Sequence, residues 1–155
     1  MKLTILIILA LFILTGCEGR IINATVPTAS MEPTISMGAR IRGDRQAFNN
    51  TLPERFDIII FRYNMDDSIM HVSRIFGLPG ETLEIIGGRV YIDGEFLEDD
   101  FAEDNFGSYG PFVIPRNSYF VMSDNRRNSL DSRQWVDPYV HFNDIVAKVN
   151  HISNP

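Results

Sequence analysis

The sequence predicts a mostly β fold, and three stretches carry that prediction. Residues 57–63 are a run of β-branched and aromatic side chains with the length of one strand. Residues 69–76 alternate between two faces, as the side chains of a strand do. Residues 83–97 contain the dipeptides Gly87-Gly88 and Asp93-Gly94, which supply the positive φ angles of tight hairpin turns. We therefore expect a single β-rich domain with one core.

The remaining elements are predicted from the same patterns. Further strands are expected within residues 35–45, 112–114, 118–122 and 145–147. Residues 46–55 are polar and are expected to form a loop. Residues 98–104 hold five carboxylates but lack the spacing of a calcium-binding loop. We interpret them as a solvated loop and expect neither a metal nor a cofactor.

The composition is that of a globular domain: the chain has 155 residues, of which 45% are hydrophobic and 22% are charged. The formal net charge is −6, which argues against a nucleic-acid partner because binding to nucleic acid needs a basic face. Cys17 is the only cysteine. No disulfide within the chain is therefore expected.

The first residues are predicted to be a targeting segment. Lys2 supplies a positive charge, and residues 3–14 are apolar except for Thr4. As a helix this run would be about 18 Å long, which is short of the ~30 Å hydrocarbon core of a bilayer. We expect residues 1–16 to be a signal peptide of the lipoprotein type or a short membrane anchor, 17–25 to be a tether, and 26–155 to be the domain.

The tetrapeptide Leu14-Thr15-Gly16-Cys17 resembles a bacterial lipobox. In that motif, small residues precede a cysteine that is lipidated and becomes the mature N-terminus. The alternative is an uncleaved signal-anchor in which Cys17 has no role. Either form of attachment predicts a chain held at membrane lipid on the extracytoplasmic face of a bacterial cell membrane. Ser30 would then be at most ~45 Å along the chain from Cys17.

A short turn around Ser30 is the leading candidate for a catalytic site. Pro33 fixes its own φ and favours an extended Glu32, so the stretch is neither a helix interior nor the middle of a strand. A serine on a rigid turn, with Thr28 two residues earlier, can present a nucleophile beside an oxyanion donor. Taken alone, the same residues also fit an ordinary surface turn.

Four stretches, taken together, favour a catalytic serine over an ordinary surface turn. They are residues 30–34 (SMEPT), 57–61 (DIIIF), 74–81 (RIFGLPGE) and 123–133 (SDNRRNSLDSR). In this order they resemble the type I signal peptidases, the serine–lysine peptidases that cut secretory signal peptides. The resemblance extends from about residue 26 to residue 148, which is nearly the whole chain after the targeting segment.

The resemblance implies a β-rich fold whose active site faces the membrane and whose substrates are exported preproteins. Ser30 would be the acyl-forming nucleophile. The Ser30 N–H and the Thr28 hydroxyl would stabilise the oxyanion. Ser129 matches the family serine that helps to orient the general base, and Asp131 and Arg133 match a structural ion pair.

The sequence departs from the family at the general base. A lysine should directly precede Arg74, but this position is Ser73, and the two lysines of the chain, Lys2 and Lys148, lie outside the motif. A serine hydroxyl cannot deprotonate Ser30 at neutral pH. His71 is a candidate base, because it lies two residues before Ser73 on the same strand face and has an ordinary pKa near 6.5.

Two interpretations of this departure stay open. In one, Ser30 and His71 form a catalytic pair in a serine endopeptidase that cleaves signal peptides. In the other, Ser73 marks a catalytically impaired homologue that binds exported chains in an assembly or chaperone role. Ser123 and Phe56 also stand where the family usually has glycine, which indicates local divergence near the site.

Overall fold

The computed structural model describes residues 19–63, 69–102 and 107–155, and within them the chain is a β protein. Its eleven strands, in chain order, are β1 (Ile21–Thr25), β2 (Arg40–Asp44), β3 (Ile58–Arg62), β4 (Met70–Gly77), β5 (Thr82–Ile86), β6 (Arg89–Ile92), β7 (Glu95–Leu97), β8 (Tyr109–Val113), β9 (Ser118–Met122), β10 (Val140–His141) and β11 (Ile145–Ser153). A single 3-10 turn, Phe142–Asp144, precedes β11, and the described residues contain no α-helix. The predicted mostly β fold class is confirmed.

The strands form two sheets. The larger has seven strands in the order β1-β2-β11-β3-β4-β9-β10, and the smaller has four in the order β7-β6-β5-β8. The smaller sheet contains both predicted hairpins. Gly87 and Gly88 lie between the paired residues Ile86 and Arg89, and Asp93-Gly94 joins β6 to β7. All four turn residues have positive φ, which is why these dipeptides identified the hairpins from the sequence.

Residues 21–25 were assigned to a tether by sequence, and the structure corrects that assignment. They form β1, which pairs antiparallel with β2 from Ile21↔Asp44 to Thr25↔Arg40. Strand formation is favoured because Ile22 and Ala24 pack against a buried core cluster. The other side chains of β1 are exposed, so the strand alternates like one half-buried edge of a sheet.

The targeting segment and Cys17 lie outside the described residues. The predicted signal peptide, lipidation and membrane anchor therefore remain predictions. Within residues 19–63, 69–102 and 107–155, no helix has the length and apolar character needed to cross a bilayer.

The strand predicted within residues 35–45 begins later than the pattern suggested. Residues 31–34 continue the serine turn, and β2 starts only at Arg40. Met31 and Ile35 are fully buried, and the Ile35 N–H donates to the Met31 carbonyl at 2.8 Å. Apolar residues in this stretch thus anchor a turn to the core and do not extend a strand.

Three buried clusters position the central strands. One joins the serine turn to the large sheet through Met31, Ile35, Ile41 and Ile60. A second packs β3, β4 and β9 together through Ile59, Ile75 and Val121. The third joins the two sheets through Phe76, Leu83, Ile114 and Phe120. Gly77 lies at this junction, where an added Cβ would overlap the Ile114 side chain.

Candidate active site

A cleft of about 590 Å³ brings together the residues that the sequence singled out. Its walls come from the end of β1, the serine turn, the first half of β4 and the loop after β9. The site residues that line it are Thr28, Ser30, His71, Ser73, Ser123, Ser129 and Trp135. Apolar side chains, among them Ile41, Ile60 and Val72, supply much of the remaining wall, so the cleft offers an apolar surface around several hydroxyl groups.

The serine turn presents two hydroxyl groups side by side. Thr28 Oγ1 and Ser30 Oγ are 3.1 Å apart, within hydrogen-bond distance. Ser30 is half-buried and is followed directly by the fully buried Met31, which fixes the backbone on which the hydroxyl sits. Within the described parts of the chain no acceptor takes the Ser30 N–H. This donor therefore remains available to a ligand in the cleft.

Asn125 holds the serine turn against the loop that follows β9. Its backbone N–H donates to the Ser30 carbonyl at 2.9 Å, and its side-chain amide donates to the Ala29 carbonyl at 2.9 Å. The two hydrogen bonds fix the peptide units on either side of the Ser30 Cα. Sequence reasoning placed Asn125 in a family motif but gave it no role.

A buried ion pair braces the other end of the turn. Arg74 on β4 donates two hydrogen bonds to Asp124, from Nε at 2.9 Å and from Nη2 at 2.6 Å. Thr34 donates its hydroxyl to the same carboxylate at 2.5 Å. The side chains of Arg74 and Asp124 are 6% and 0% exposed. No sequence pattern indicates this pair, because its members are 50 residues apart.

Asp131 and Arg133 form a second buried ion pair. Arg133 Nε donates to Asp131 Oδ1 at 2.8 Å and Nη2 donates to Oδ2 at 2.9 Å. The Asp131 carboxylate also accepts the Ser123 N–H at 3.0 Å, and Arg133 also donates to the Arg126 carbonyl at 3.0 Å. The pair therefore ties the end of β9 to the loop that carries Ser129.

Ser129 lines the cleft, but its hydroxyl is engaged within its own loop. The hydroxyl donates to the Asn125 carbonyl at 2.8 Å and lies 3.4 Å from Asp131 Oδ2. No hydrogen bond joins Ser129 to His71 in the described residues. In this arrangement Ser129 orients the Asn125 loop, and through it the serine turn.

His71 lies in an aromatic cluster at the cleft wall. Its ring stacks on Phe61 with centroids 5.7 Å apart, and it meets Tyr63 and Trp135 edge-on at 6.3 and 6.5 Å. Burial among these rings lowers the pKa of His71 below its usual value of 6.5, because desolvation penalises the charged imidazolium. A neutral imidazole at pH 7 can accept a proton. No hydrogen bond from His71 to Ser30 or Ser73 is present among the described residues.

Ser73, which the motif comparison places at the position of the family lysine, lies in a buried pair with Ser123. Ser73 Oγ on β4 and Ser123 Oγ after β9 are 3.4 Å apart. Both side chains are buried, with residue exposures of 4% and 2%. Two of the three departures from the family pattern noted in the sequence, Ser73 and Ser123, are thus neighbours in space. Each replaces a residue in the same small volume beside the cleft.

Lys148 is excluded as a substitute base by its place in the fold. Its ammonium pairs with Asp57 at 2.6 Å, and Lys148 is not among the residues that line the cleft. As to metals, residues 19–63, 69–102 and 107–155 contain no group of three His, Cys, Asp or Glu side chains that could hold an ion.

The fold and the cleft define a β-rich domain that presents a serine on a turn at a largely apolar groove. The family model described as signal peptidase, peptidase S26, matches residues 1–153. The chain therefore belongs to the signal peptidase family, peptidase S26, as its motifs indicated.

Individual relatives support this assignment. Signal peptidase I of Leptolyngbya laminosa is 35% identical over 118 residues, which cover 71% of this chain and 58% of that protein. Signal peptidase I of Bacillus amyloliquefaciens is 37% identical over 120 residues, covering 70% and 61%. The crystal structure of a signal peptidase I from Enterococcus faecalis V583 matches with a TM-score of 0.52 at 28% identity, covering 64% of this chain and 98% of that one. The chain thus spans a little over half the length of these two curated relatives.

Proposed function

We propose that this protein is a membrane-attached serine endopeptidase that cleaves signal peptides from exported preproteins. The observation that carries the proposal is the pairing of Ser30 and Thr28 at 3.1 Å in a cleft that also holds His71. Membership of the signal peptidase family supports the substrate class. The apolar wall of the cleft suits the small uncharged side chains that precede a signal-peptide cleavage site.

The chemistry assigned to the serine turn is acyl transfer. Ser30 Oγ attacks the scissile carbonyl carbon while its proton passes to a neutral His71, and the carbonyl oxygen becomes an oxyanion. The Ser30 N–H and the Thr28 hydroxyl donate to that oxyanion. When the C–N bond breaks, the proton moves from His71 to the leaving amine, and water then hydrolyses the acyl-enzyme.

The backbone of β4 offers a place for an extended substrate. β9 pairs with β4 only from Arg74 to Gly77, whereas β4 begins at Met70. On the side away from β3, no described strand pairs with residues 70–73, and these residues line the cleft. An extended peptide can add to such a free edge by main-chain hydrogen bonds, which would place its carbonyl groups alongside the serine turn.

A second candidate function is supported by the serine pair. With Ser73 at the position where the family has its lysine, Ser123 packed against it, and no hydrogen bond between His71 and Ser30 among the described residues, the groove can bind exported chains without cutting them. We favour the enzyme because catalytic hydrogen bonds often form only when substrate closes the site, and His71 is close enough to line the same cleft.

Cleavage of a preprotein tests the proposal directly. The full chain, in detergent, is incubated with a preprotein, and the new N-terminus of the product is sequenced by mass spectrometry. The Ser30→Ala variant is the matched control. Cleavage by the wild-type chain but not by Ser30→Ala supports the enzyme. Binding of the preprotein by both chains without cleavage establishes the second function instead.

Thr28→Val should lower kcat about a hundredfold while KM changes little. Valine has nearly the same shape but lacks the hydroxyl, so it removes a donor to charge that develops only in the transition state. Steady-state kinetics on the preprotein measure both constants. Thr51→Val, whose hydroxyl donates to the Ala47 carbonyl away from the cleft, is the matched control. An unchanged kcat in Thr28→Val would show that its hydroxyl does not face the oxyanion.

A lysine base should be restored by two substitutions together. In a His71→Ala background, Ser73→Lys with Ser123→Gly is expected to recover cleavage, with activity increasing at alkaline pH because the amine must be neutral to act. Ser73→Lys alone should recover much less, because Ser123 occupies the space that the longer side chain needs. Equal recovery by the single and double variants would contradict this role of Ser123.

We further propose that the chain is attached to the membrane through Cys17 or its N-terminal apolar segment, on the extracytoplasmic face. The short apolar run and the lipobox-like tetrapeptide support this proposal. Mass spectrometry of the protein extracted from bacterial membranes should detect loss of residues 1–16 and an acylated Cys17. An intact N-terminus with a free thiol would favour the signal-anchor alternative.

A further inference from the structure

A basic face covers the outer side of the sheet edge built by β1, β2 and β11. Six side chains point outward on these strands, and all are exposed: Asn23, Thr25, Arg40, Arg42, His151 and Ser153. They line a shallow concave surface of about 560 Å³. The intervening residues Ile41 and Ile152 pack into the core on the opposite side, so the sheet holds the basic face in a defined geometry.

The register of the three strands places polar groups on both sides of each arginine. Arg40 lies between Thr25 and Ser153 across the neighbouring strands. Cross-strand neighbours of this kind have Cβ atoms about 5 Å apart. A guanidinium flanked by hydroxyl groups combines charge with several directed donors, which is the chemistry that recognises phosphate oxygens.

Arg42 repeats the arrangement one step along β2. It lies between Asn23 and His151, and its position is about 7 Å from that of Arg40 along the strand. The basic face therefore offers two adjacent places centred on arginine, with hydroxyl neighbours at Arg40 and with amide and imidazole neighbours at Arg42.

The two arginines have no ion-pair partner within the described parts of the chain, although the whole chain carries a net charge of −6. The basic face contains no carboxylate. Asp44, the next outward position on β2, is already paired with Arg20 at 2.8 Å. The positive charge of Arg40 and Arg42 is thus available to an external anion.

We propose that the basic face binds the phosphate head groups of anionic phospholipids. The occupant is argued from the chain, because Ile21 at the start of β1 is the fourth residue after Cys17 and so lies within about 14 Å of it. This argument rests on the proposed membrane attachment. A bilayer is then the anionic surface nearest to the basic face, and each arginine near such a surface raises the binding constant about fivefold.

Binding of lipid here would also orient the cleft. Ala24, Thr25 and Ile41 border both the basic face and the cleft that holds Ser30. A domain that docks on the bilayer through the basic face therefore keeps its cleft beside the membrane, where the apolar part of a preprotein emerges.

Arginine footprinting of the full chain in vesicles tests the inference without relying on activity. The chain is reconstituted into phosphatidylcholine vesicles with or without phosphatidylglycerol, and modification by p-hydroxyphenylglyoxal is followed by mass spectrometry. We expect Arg40 and Arg42 to react at least several-fold more slowly in the anionic vesicles, with the difference lost at high salt. Arg89 and Arg116, which are exposed elsewhere, should react equally in both and serve as internal controls.

Three outcomes would overturn the inference. Equal reaction rates of Arg40 and Arg42 in the two vesicles would exclude recognition of anionic lipid. Equal protection by inorganic phosphate added to phosphatidylcholine vesicles would indicate a site for a free anion. Protection of Arg89 and Arg116 to the same degree would indicate general adsorption.

Flotation of the vesicles in a density gradient separates this inference from the proposed membrane attachment. A chain that fails to float with either vesicle would refute membrane attachment itself, whereas a chain that floats without protection of Arg40 and Arg42 refutes only the lipid site.

Discussion

His71→Ala is expected to reduce preprotein cleavage by about two to four orders of magnitude, the usual contribution of a positioned general base. His71 is the titratable side chain that lines the cleft with Ser30, and its aromatic surroundings lower its pKa below 6.5 through burial. The wild-type rate should therefore be constant around pH 7 and fall in acid, as the imidazole becomes protonated. The midpoint of the fall should lie below 6.5, in line with the lowered pKa.

The controls separate catalysis from stability. Since the pKa of His71 is lower in the folded chain than its ordinary value, the unfolded state binds the proton more readily and acid also lowers the free energy of unfolding. Circular dichroism at each pH shows whether the fold persists while the rate falls. His141→Ala, at the exposed position of β10 and outside the cleft, should retain full activity. Cleavage that survives in His71→Ala would refute the assignment of the base.

Asp131→Ala is expected to lower the free energy of unfolding by about 3–5 kcal/mol, the cost of leaving one partner of a buried ion pair uncompensated. The side chains of Asp131 and Arg133 are 0% and 2% exposed, so the remaining guanidinium cannot reach water. The Ser123 N–H also loses its acceptor. Urea unfolding of the variant, followed by circular dichroism, measures the loss.

A matched exposed pair provides the comparison for Asp131→Ala. Arg20 pairs with Asp44 at 2.8 Å, but its side chain is 66% exposed. Arg20→Ala should therefore change the melting temperature little, because solvent screens such a pair. If Asp131→Ala melts at the wild-type temperature, the buried pair carries no net stability and the loop after β9 is held by its other contacts.

Much of the fold could be predicted from the sequence, because the patterns that specify its turns and strands involve residues close together in the chain. The hairpins of the smaller sheet depend on turn residues that must adopt positive φ. The central strand β3 follows from a run of β-branched residues. β1 was missed, because five residues with a weak alternation do not stand out next to an apolar leader. Its pairing with β2 becomes favourable only once the core cluster beneath it exists.

The structure shows a glycine-like backbone at Phe56, where the sequence comparison indicated a changed one. Phe56 in place of a family glycine indicated a changed backbone near the site. The structure gives Phe56 a φ of 72°, the left-handed conformation that favours glycine. Its ring packs against Phe76 and Phe101, with centroids 5.5 and 5.0 Å away, and its carbonyl accepts from Arg74. These contacts hold a backbone conformation that phenylalanine alone would disfavour.

The sequence by itself determined the mostly β class, the order of its hairpins and the motifs that mark the family, because periodicity, turn chemistry and motif order are written along the chain. It also placed Thr28 beside Ser30, since two residues on one turn must be close. Only the tertiary structure decided that Ser73 meets Ser123 and that Arg74 pairs with Asp124, both across 50 residues. Such contacts depend on the register of β4 against β9 and on the burial that surrounds them, and neither is set by the neighbouring residues in the chain.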